Sequence, residues 1–264
     1  MDLKLNSKRA LVTGGSRGLG FAIARELCAE GVHVALLARD RGAVEAAAGQ
    51  LQTLGYQAIG IAADTAQDEG VSVAVHEVNE RLGGVDILVN SAAKAAGGPP
   101  TGLVDLDDDE LRSEIETKVL GYLRCAKAVA PQMIERGWGR IINISGLNAR
   151  RTGSVFGSIR NVAVAAMSKN LADELGPQGI NVTVVHPWLT ETEGVQNIIR
   201  NGAAAKGVTE SEFKKGLAAD VSIGRLVQPV EVARVVTFLA SPLSVAINGD
   251  AIAAGGGILG PIFY

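Results

Sequence analysis

Thr13-Gly-Gly-Ser-Arg-Gly-Leu-Gly20 stands between two segments of different periodicity. Before it, residues 9–13 form a short apolar run that is typical of a buried strand. After it, residues 19–30 repeat their apolar positions at the spacing of one helix face. Glycines permit the sharp turn that must join two such elements. The stretch therefore predicts a strand–turn–helix unit near the N-terminus.

The same alternation continues along the rest of the chain. Further strands are predicted at 33–38, 57–63, 86–90, 140–144, 180–185 and 250–254. Helices are predicted at 41–54, 68–82, 106–135, 155–175 and 229–239. Strands that are apolar throughout and separated by helices indicate a parallel sheet covered on both faces. We predict one Rossmann-like α/β domain over residues 1–264, doubly wound, with about seven strands.

One segment departs from this pattern. Residues 190–222 are more polar and are interrupted by glycines, and they fall between a strand and a helix. No proline- or serine-rich linker, charge block or internal repeat separates them from the remainder. We interpret them as a helical flap over a ligand cleft, and not as a second domain.

Composition excludes several classes of protein. Of the 264 residues, 47% are hydrophobic and 20% charged, a balance that excludes a disordered chain. The net charge of −3 gives no indication of a nucleic-acid or anionic-membrane surface. The two cysteines, Cys28 and Cys125, have no partners at metal-ligand spacing, so no metal site is predicted. Without a signal peptide or a run of ~18 apolar residues, we expect a cytoplasmic protein with no membrane span.

The glycine stretch also suggests a ligand. Glycines at a first strand–helix junction let the backbone approach a pyrophosphate, and the helix N-terminus attracts anions. The alternative is a turn with a structural role only. We favour a dinucleotide site whose residues in this stretch are Gly14, Ser16, Arg17, Gly18, Leu19 and Gly20.

Motifs along the whole chain resemble those of the classical short-chain dehydrogenase/reductase family. The glycine stretch has the form TGxxxGxG, and Asn90-Ser-Ala-Ala93 stands where the family has NNAG. Residues 187–192 are similar to its PGxxxT segment, and Gly255-Gly256 to its closing glycine pair. The resemblance implies an oxidoreductase with a nicotinamide cofactor. It adds five cofactor-binding residues: Asn90, Ala92, Pro187, Thr190 and Thr192.

The end of the second strand bears on the choice of cofactor. Family members that use NAD carry an acidic residue there, whereas this chain has Ala38 followed by Arg39. A guanidinium can bind a 2′-phosphate through two hydrogen bonds and its charge. Arg17 lies on the same side in NADP-using members, so we predict NADP(H), although either arginine could be a solvated surface charge. Asp64 and Thr65 match positions that bind the adenine.

The catalytic positions depart from the family pattern. The family uses a tyrosine as proton donor, a lysine to lower its pKa, a serine and an asparagine. Counting from Leu171-Ala-Asp-Glu-Leu175, which resembles the LAxEL motif, Gly157 occupies the tyrosine position and Asn161 the lysine position. Lys118 stands at the asparagine position, so lysine and asparagine are interpreted as exchanged. Ser145 is one residue short of the serine position, and could be catalytic or structural.

Other residues of the predicted pocket could take part. Trp188 replaces the glycine of the PG pair and would lie near the nicotinamide or block it. His186 could titrate near neutral pH or be a packed structural group. Arg150, Arg151 and Arg160 are expected at the cleft mouth, where they could receive an acidic substrate or be solvated.

Three functions remain open. The first is an NADP(H)-dependent oxidoreductase for a small carbonyl or alcohol substrate, with Lys118, Ser145, His186 or a water on Asn161 replacing the tyrosine. The second is a catalytically inactive NADP(H)-binding protein. The third is a lyase or isomerase without redox chemistry, with Lys118 as base. Members of the family usually pack their two long central helices against those of a second subunit. The resemblance therefore implies a homodimer or homotetramer in each case.

Overall fold

A single parallel sheet organises the chain in the computed structural model, which describes residues 1–93 and 102–260. Within these ranges the strand order is β3-β2-β1-β4-β5-β6-β7, and every neighbouring pair is parallel. The strands are β1 (Arg9–Thr13), β2 (His33–Ala38), β3 (Ala58–Ala62), β4 (Ile87–Asn90), β5 (Gly139–Ile144), β6 (Ile180–Pro187) and β7 (Ala251–Ala254). From β1, the next strands along the chain are added on one side of the sheet up to β3, and from β4 onward on the other side. Between β1 and β4 the carboxyl ends of the strands therefore leave a crevice.

Helices cover both faces of this sheet. They are α1 (Gly18–Ala29), α2 (Arg41–Thr53), α3 (Asp68–Leu82), α4 (Asp108–Glu114), α5 (Gly121–Arg136), α6 (Val155–Leu175), α7 (Glu193–Lys206), α8 (Glu210–Ala218) and α9 (Pro229–Ala240). Successive side chains of a strand point to opposite faces, so Val12 packs with α1, α2 and α9, and Leu11 packs with α3, α5 and α6. The prediction of a doubly wound, Rossmann-like fold is confirmed.

The long helix predicted at 106–135 is interrupted. Asp107 caps α4 by accepting from the backbone N–H of Asp109 at 2.9 Å, so the helix begins at residue 108. Between α4 and α5 the residues Ile115–Leu120 form a π-helical turn. Such turns insert one extra residue, are rare, and occur frequently at functional sites. Lys118 lies in this turn and is buried.

The segment 190–222 contains α7 and α8. A capping box at Thr209 and Glu212 begins α8, and Val195 and Ile199 of α7 form a small apolar cluster with Leu226. The action of this segment as a helical flap over a ligand stays a prediction. Among the described residues, no helix is long and apolar enough to cross a membrane.

Candidate active site

The predicted site residues gather at one edge of the sheet. The glycine stretch follows β1, Arg39 follows β2, and Asp64 lies just beyond β3. Asn90 ends β4, and Pro187 ends β6. Because all the strands are parallel, their carboxyl ends meet at this edge, which is where open α/β sheets bind ligands.

Two glycines of the loop, Gly14 and Gly20, have no room for a side chain. Gly14 and Gly18 adopt positive φ angles of 65° and 57°. A Cβ on Gly14 would lie 2.9 Å from Ala92 Cα, and a Cβ on Gly20 would collide with the carbonyl oxygen of Gly14. The loop is therefore a cradle of bare backbone at the start of α1, as anion binding requires. Ser16 and Leu19 are half-buried in the same loop.

Two other segments flank this loop. The Thr13 hydroxyl accepts from the backbone N–H of Ala92 at 3.1 Å, which fixes the segment after β4. On the other side, a Cβ on Gly18 would lie 3.6 Å from Cγ2 of Thr192, the residue that caps α7. The hydroxyl of buried Thr190 donates to the Trp188 carbonyl at 3.0 Å. The segment after β6 thus lies against the glycine loop.

Two arginines stand at the outer end of the cleft. Arg17 and Arg39 are exposed, and neither forms an ion pair with another residue in the described ranges. Asp64 is half-buried, and its Oδ1 accepts from the Ala66 N–H at 3.0 Å. Thr65 is buried against Gly121 at the start of α5. The two guanidinium groups are available to an anion from solvent.

Lys118 and Asn161 are in direct contact. Lys118 Nζ donates to Asn161 Oδ1 at 3.1 Å and to the Ser145 carbonyl oxygen at 2.9 Å. The Ser145 hydroxyl donates to the backbone carbonyl of Asn161 at 3.0 Å. All three residues are buried. The predicted catalytic residues Lys118, Ser145 and Asn161 therefore form one hydrogen-bonded cluster at the end of β5.

The charge environment of Lys118 is unusual. Burial, followed by the positive charge of Arg160, lowers the pKa of Lys118 to about 7, although the Glu114 carboxylate opposes the change. An ammonium with two acceptors retains a third N–H. Lys118 can therefore exchange a proton near neutral pH.

Other titratable groups near the cluster are less suited to proton transfer. Burial, and then the charges of Arg150 and Lys118, lower the pKa of His186 to about 4, so this ring is neutral at physiological pH. Its Nδ1 accepts from the Gly146 N–H at 3.3 Å. The Tyr122 hydroxyl donates to the Ile144 carbonyl at 3.0 Å, and burial raises its pKa.

Gly157 lies beside the cluster, on the first turn of α6. Its N–H donates to the capping hydroxyl of Ser154 at 3.0 Å. A Cβ at this position would lie 2.7 Å from Asn148 Nδ2 and 2.8 Å from Ser154 Oγ. Asn148 and Ser154 thus occupy space that a side chain on residue 157 would need. Nothing in the sequence pattern had singled out Asn148.

The three arginines expected at the cleft mouth differ in position. The Arg151 guanidinium stacks over the Trp188 ring at 4.3 Å from its centroid, and Arg150 donates to the Ala251 carbonyl at 3.0 Å. Arg160 is instead buried and forms an ion pair with Glu114. The expectation of a solvent-facing Arg160 was wrong, because α4 supplies a buried carboxylate to meet it. Sequence reasoning missed Glu114, although it lies about one helical turn before Lys118.

A parallel sheet with a bare glycine loop after its first strand, facing polar residues at the ends of β5 and β6, defines a class of dinucleotide-binding α/β proteins. The family model described as short chain dehydrogenase matches residues 8–202. The chain belongs to this family.

Relatives match over nearly the full length. The short-chain reductase protein NovJ of Streptomyces niveus is 33% identical, with 94% of this chain and 92% of the relative covered. The 3-oxoacyl-acyl-carrier-protein reductase of Aquifex aeolicus is 30% identical, with coverage of 98% and 100%. The structure of L-sorbose reductase from Gluconobacter frateurii, complexed with NADPH and L-sorbose, superposes with a TM-score of 0.92 at 29% identity. It covers 99% of this chain and 100% of that one.

Proposed function

We propose that the protein is an NADP(H)-dependent oxidoreductase for a small carbonyl or alcohol substrate, in which Lys118 replaces the usual tyrosine as proton donor. The observation that carries the proposal is the buried Lys118 ammonium, held by Asn161 and the Ser145 carbonyl at the carboxyl edge of the sheet. The reductase names of the relatives and the NADPH in the sorbose reductase structure support the reaction class.

The glycine loop fits the cofactor. Gly14, Gly18 and Gly20 leave backbone where any Cβ would clash or force a strained φ, so a pyrophosphate can approach α1 closely. Arg39 and Arg17 would bind a 2′-phosphate as charged hydrogen-bond donors. When bound, the reduced cofactor supplies a hydride to the carbonyl carbon of the substrate.

The chain supplies the accompanying proton. As the carbonyl oxygen gains negative charge, the third N–H of Lys118 is the donor and the lysine becomes a neutral amine. Asn161 and the Ser145 carbonyl hold the amine in place, and Lys118 regains its proton from solvent. With a pKa of about 7, the ammonium is half-populated at neutral pH and transfers its proton with little loss of driving force.

A test compares NADPH oxidation by wild-type protein and Lys118→Gln over a panel of small ketones and aldehydes. Reduction should fall as pH rises above about 7, because the amine form of Lys118 has no proton to give. Lys118→Gln should lose about 10²–10⁴-fold in rate and this pH dependence, as expected for removal of a general acid. Lys127→Gln, on the exposed side of α5, is the control. Equal rates for wild type and Lys118→Gln would refute the assignment.

The second candidate function is a catalytically inactive NADP(H)-binding protein. It is supported by the packing of Asn148 and Ser154 beside Gly157, since both side chains would have to move to admit the usual donor. Tight NADPH binding together with no turnover of any carbonyl or alcohol would favour it. Conversion of a substrate without NADPH oxidation would instead favour a lyase or isomerase.

We also propose that the chain acts as a homodimer or homotetramer in the cytoplasm. Helix α6 and the π-helical turn before α5 expose apolar side chains. These are Val155, Ile159 and Val162 on α6, and Leu120 at the end of the turn. A twofold contact between two such faces would bury them in an isologous four-helix interface.

A further inference from the structure

Glu114 and Arg160 form a buried ion pair beside the Lys118 cluster. Glu114 ends α4, four residues before Lys118, and Arg160 precedes Asn161 in α6. Arg160 Nη1 contacts Glu114 Oε1, and each side chain is only 10% exposed. Each member of the ion pair therefore shares a chain segment with one member of the Lys118–Asn161 hydrogen bond.

The ion pair is expected to contribute little to the free energy of unfolding. Removing two charges from water is costly, and the cost is recovered only when the remaining polar atoms are also bonded. Yet Glu114 Oε2 and Arg160 Nε are buried without a hydrogen-bond partner among the described residues. A pair of apolar side chains of the same size would stabilise the fold at least as well at these two positions.

Titratable groups from four elements surround Lys118, and two of these groups are charged at neutral pH. Arg160 on α6 opposes the ammonium, and Glu114 on α4 supports it. From β6, His186 faces the cluster and is neutral at physiological pH. Tyr122, on α5, has its pKa raised by burial and carries no charge. Glu114 and Arg160 are thus the two formal charges that act on Lys118 at neutral pH and oppose one another.

We propose that Glu114 and Arg160 are positioning residues that together control the protonation state of Lys118. This inference rests on the proposed function of Lys118 as proton donor. The arginine makes proton release easier and the glutamate keeps the ammonium from being lost altogether, so the two adjust Lys118 from opposite directions. Their direct bond also fixes α4 against α6, and with it the distance between Lys118 and Asn161.

The test is a titration of Lys118 without cofactor or substrate. Protein carrying ¹³C at the lysine ε-carbons is followed by NMR against pH, and Lys118→Gln identifies the resonance by its loss. Arg160→Gln should raise the pKa of Lys118 and Glu114→Gln should lower it, each by about tenfold in proton affinity, as expected when a nearby charge is removed from a buried site. The double variant should fall between them.

Conservative variants separate this role from a structural one. Glu114→Asp and Arg160→Lys retain the charges and should titrate close to wild type, and they serve also if a neutral variant fails to fold. Asp173→Asn, in an exposed ion pair with Lys169, should leave Lys118 unchanged. Single neutral variants that lower the melting temperature without moving the Lys118 titration, or that move it in one common direction, would overturn the proposal. Because no turnover is measured, a failed assignment of Lys118 as donor would leave this result intact.

Discussion

Lys118 Nζ and Asn161 Oδ1 lie 3.1 Å apart, so the π-helical turn and α6 are joined by a hydrogen bond between two buried side chains. The family pattern has the same two residue types at these positions in the opposite order. The interpretation of an exchange requires the two side chains to lie within one water of each other and to face the nicotinamide ribose, and their direct contact agrees with the first of these conditions.

The exchange predicts coupling between the two positions. Lys118→Asn and Asn161→Lys should each weaken NADPH binding, because each leaves a buried group without its partner. The double variant should recover much of the loss, with an interaction energy of about 0.5–3 kcal/mol, as is usual for groups in one polar network. Binding is measured by tryptophan fluorescence. Additive effects of the single changes would show that the exchange is accidental.

Arg39 is predicted to distinguish the two nicotinamide cofactors. Arg39→Ala should weaken NADPH binding by about 1.5–3 kcal/mol, the usual range for a hydrogen bond to a charged group, and leave NADH nearly unaffected. Titration calorimetry with both cofactors gives the comparison. Arg41→Ala removes a charge two residues away that is already paired with Glu45, and should change neither affinity. An equal loss for both cofactors would contradict the assignment of NADP(H).

Restoring the tyrosine at position 157 should displace the neighbouring side chains. Gly157→Tyr should destabilise the protein by about 1–3 kcal/mol through overpacking, because its Cβ would lie 2.7 Å from Asn148 Nδ2. Asn148→Ala should relieve part of this cost. Gly49→Ala, at a helical glycine with nothing within 4 Å, should instead be neutral or stabilising. Urea unfolding measures all three.

The same tyrosine provides a test of function. With Lys118→Asn, Asn161→Lys and Asn148→Ala in place, Gly157→Tyr should introduce carbonyl reduction that falls as the tyrosine ionises. NADPH oxidation over a range of pH measures this. Failure despite a folded protein that binds NADPH would indicate that Trp188 obstructs the nicotinamide.

The exposed apolar side of α6 predicts an assembly. Val162, 49% exposed, should lie in a subunit interface, so Val162→Glu should lower the mass measured by light scattering at micromolar concentration. Val73, on α3 and 60% exposed, offers a control: Val73→Glu should leave the mass unchanged. A wild-type protein that is already monomeric would exclude the proposed assembly.

The fold was predictable because the strands carry buried apolar side chains on both faces of the sheet. In β5, for example, Ile141 packs on one face of the sheet and Ile142 on the other, so both positions must be apolar. The end of β6 was less predictable, since it continues through His186 to Pro187 by pairing with β7. The interruption at 115–120 has no sequence signal in the helical period.

The site was predictable as a set of residue types and not as a set of contacts. Lys118 and Asn161 could be placed from motifs, yet 43 positions separate them and only the packing of two helices brings them together. Arg160 is an example of a contact that the sequence did not predict. Its charge predicted an exposed side chain, but Glu114 from a separate helix pairs with it in the interior.

The π-helical turn makes the position of Lys118 depend on chain length. Helices α4 and α5 are joined through the wider turn formed by Ile115–Leu120. Deleting a single residue before Lys118 would allow an unbroken α-helix and rotate the lysine by about 100° around the axis. The amine of Lys118 would then point away from Asn161 and Ser145, although none of these three residues had been substituted. A one-residue deletion outside the cluster would therefore disrupt the site as a substitution of Lys118 does.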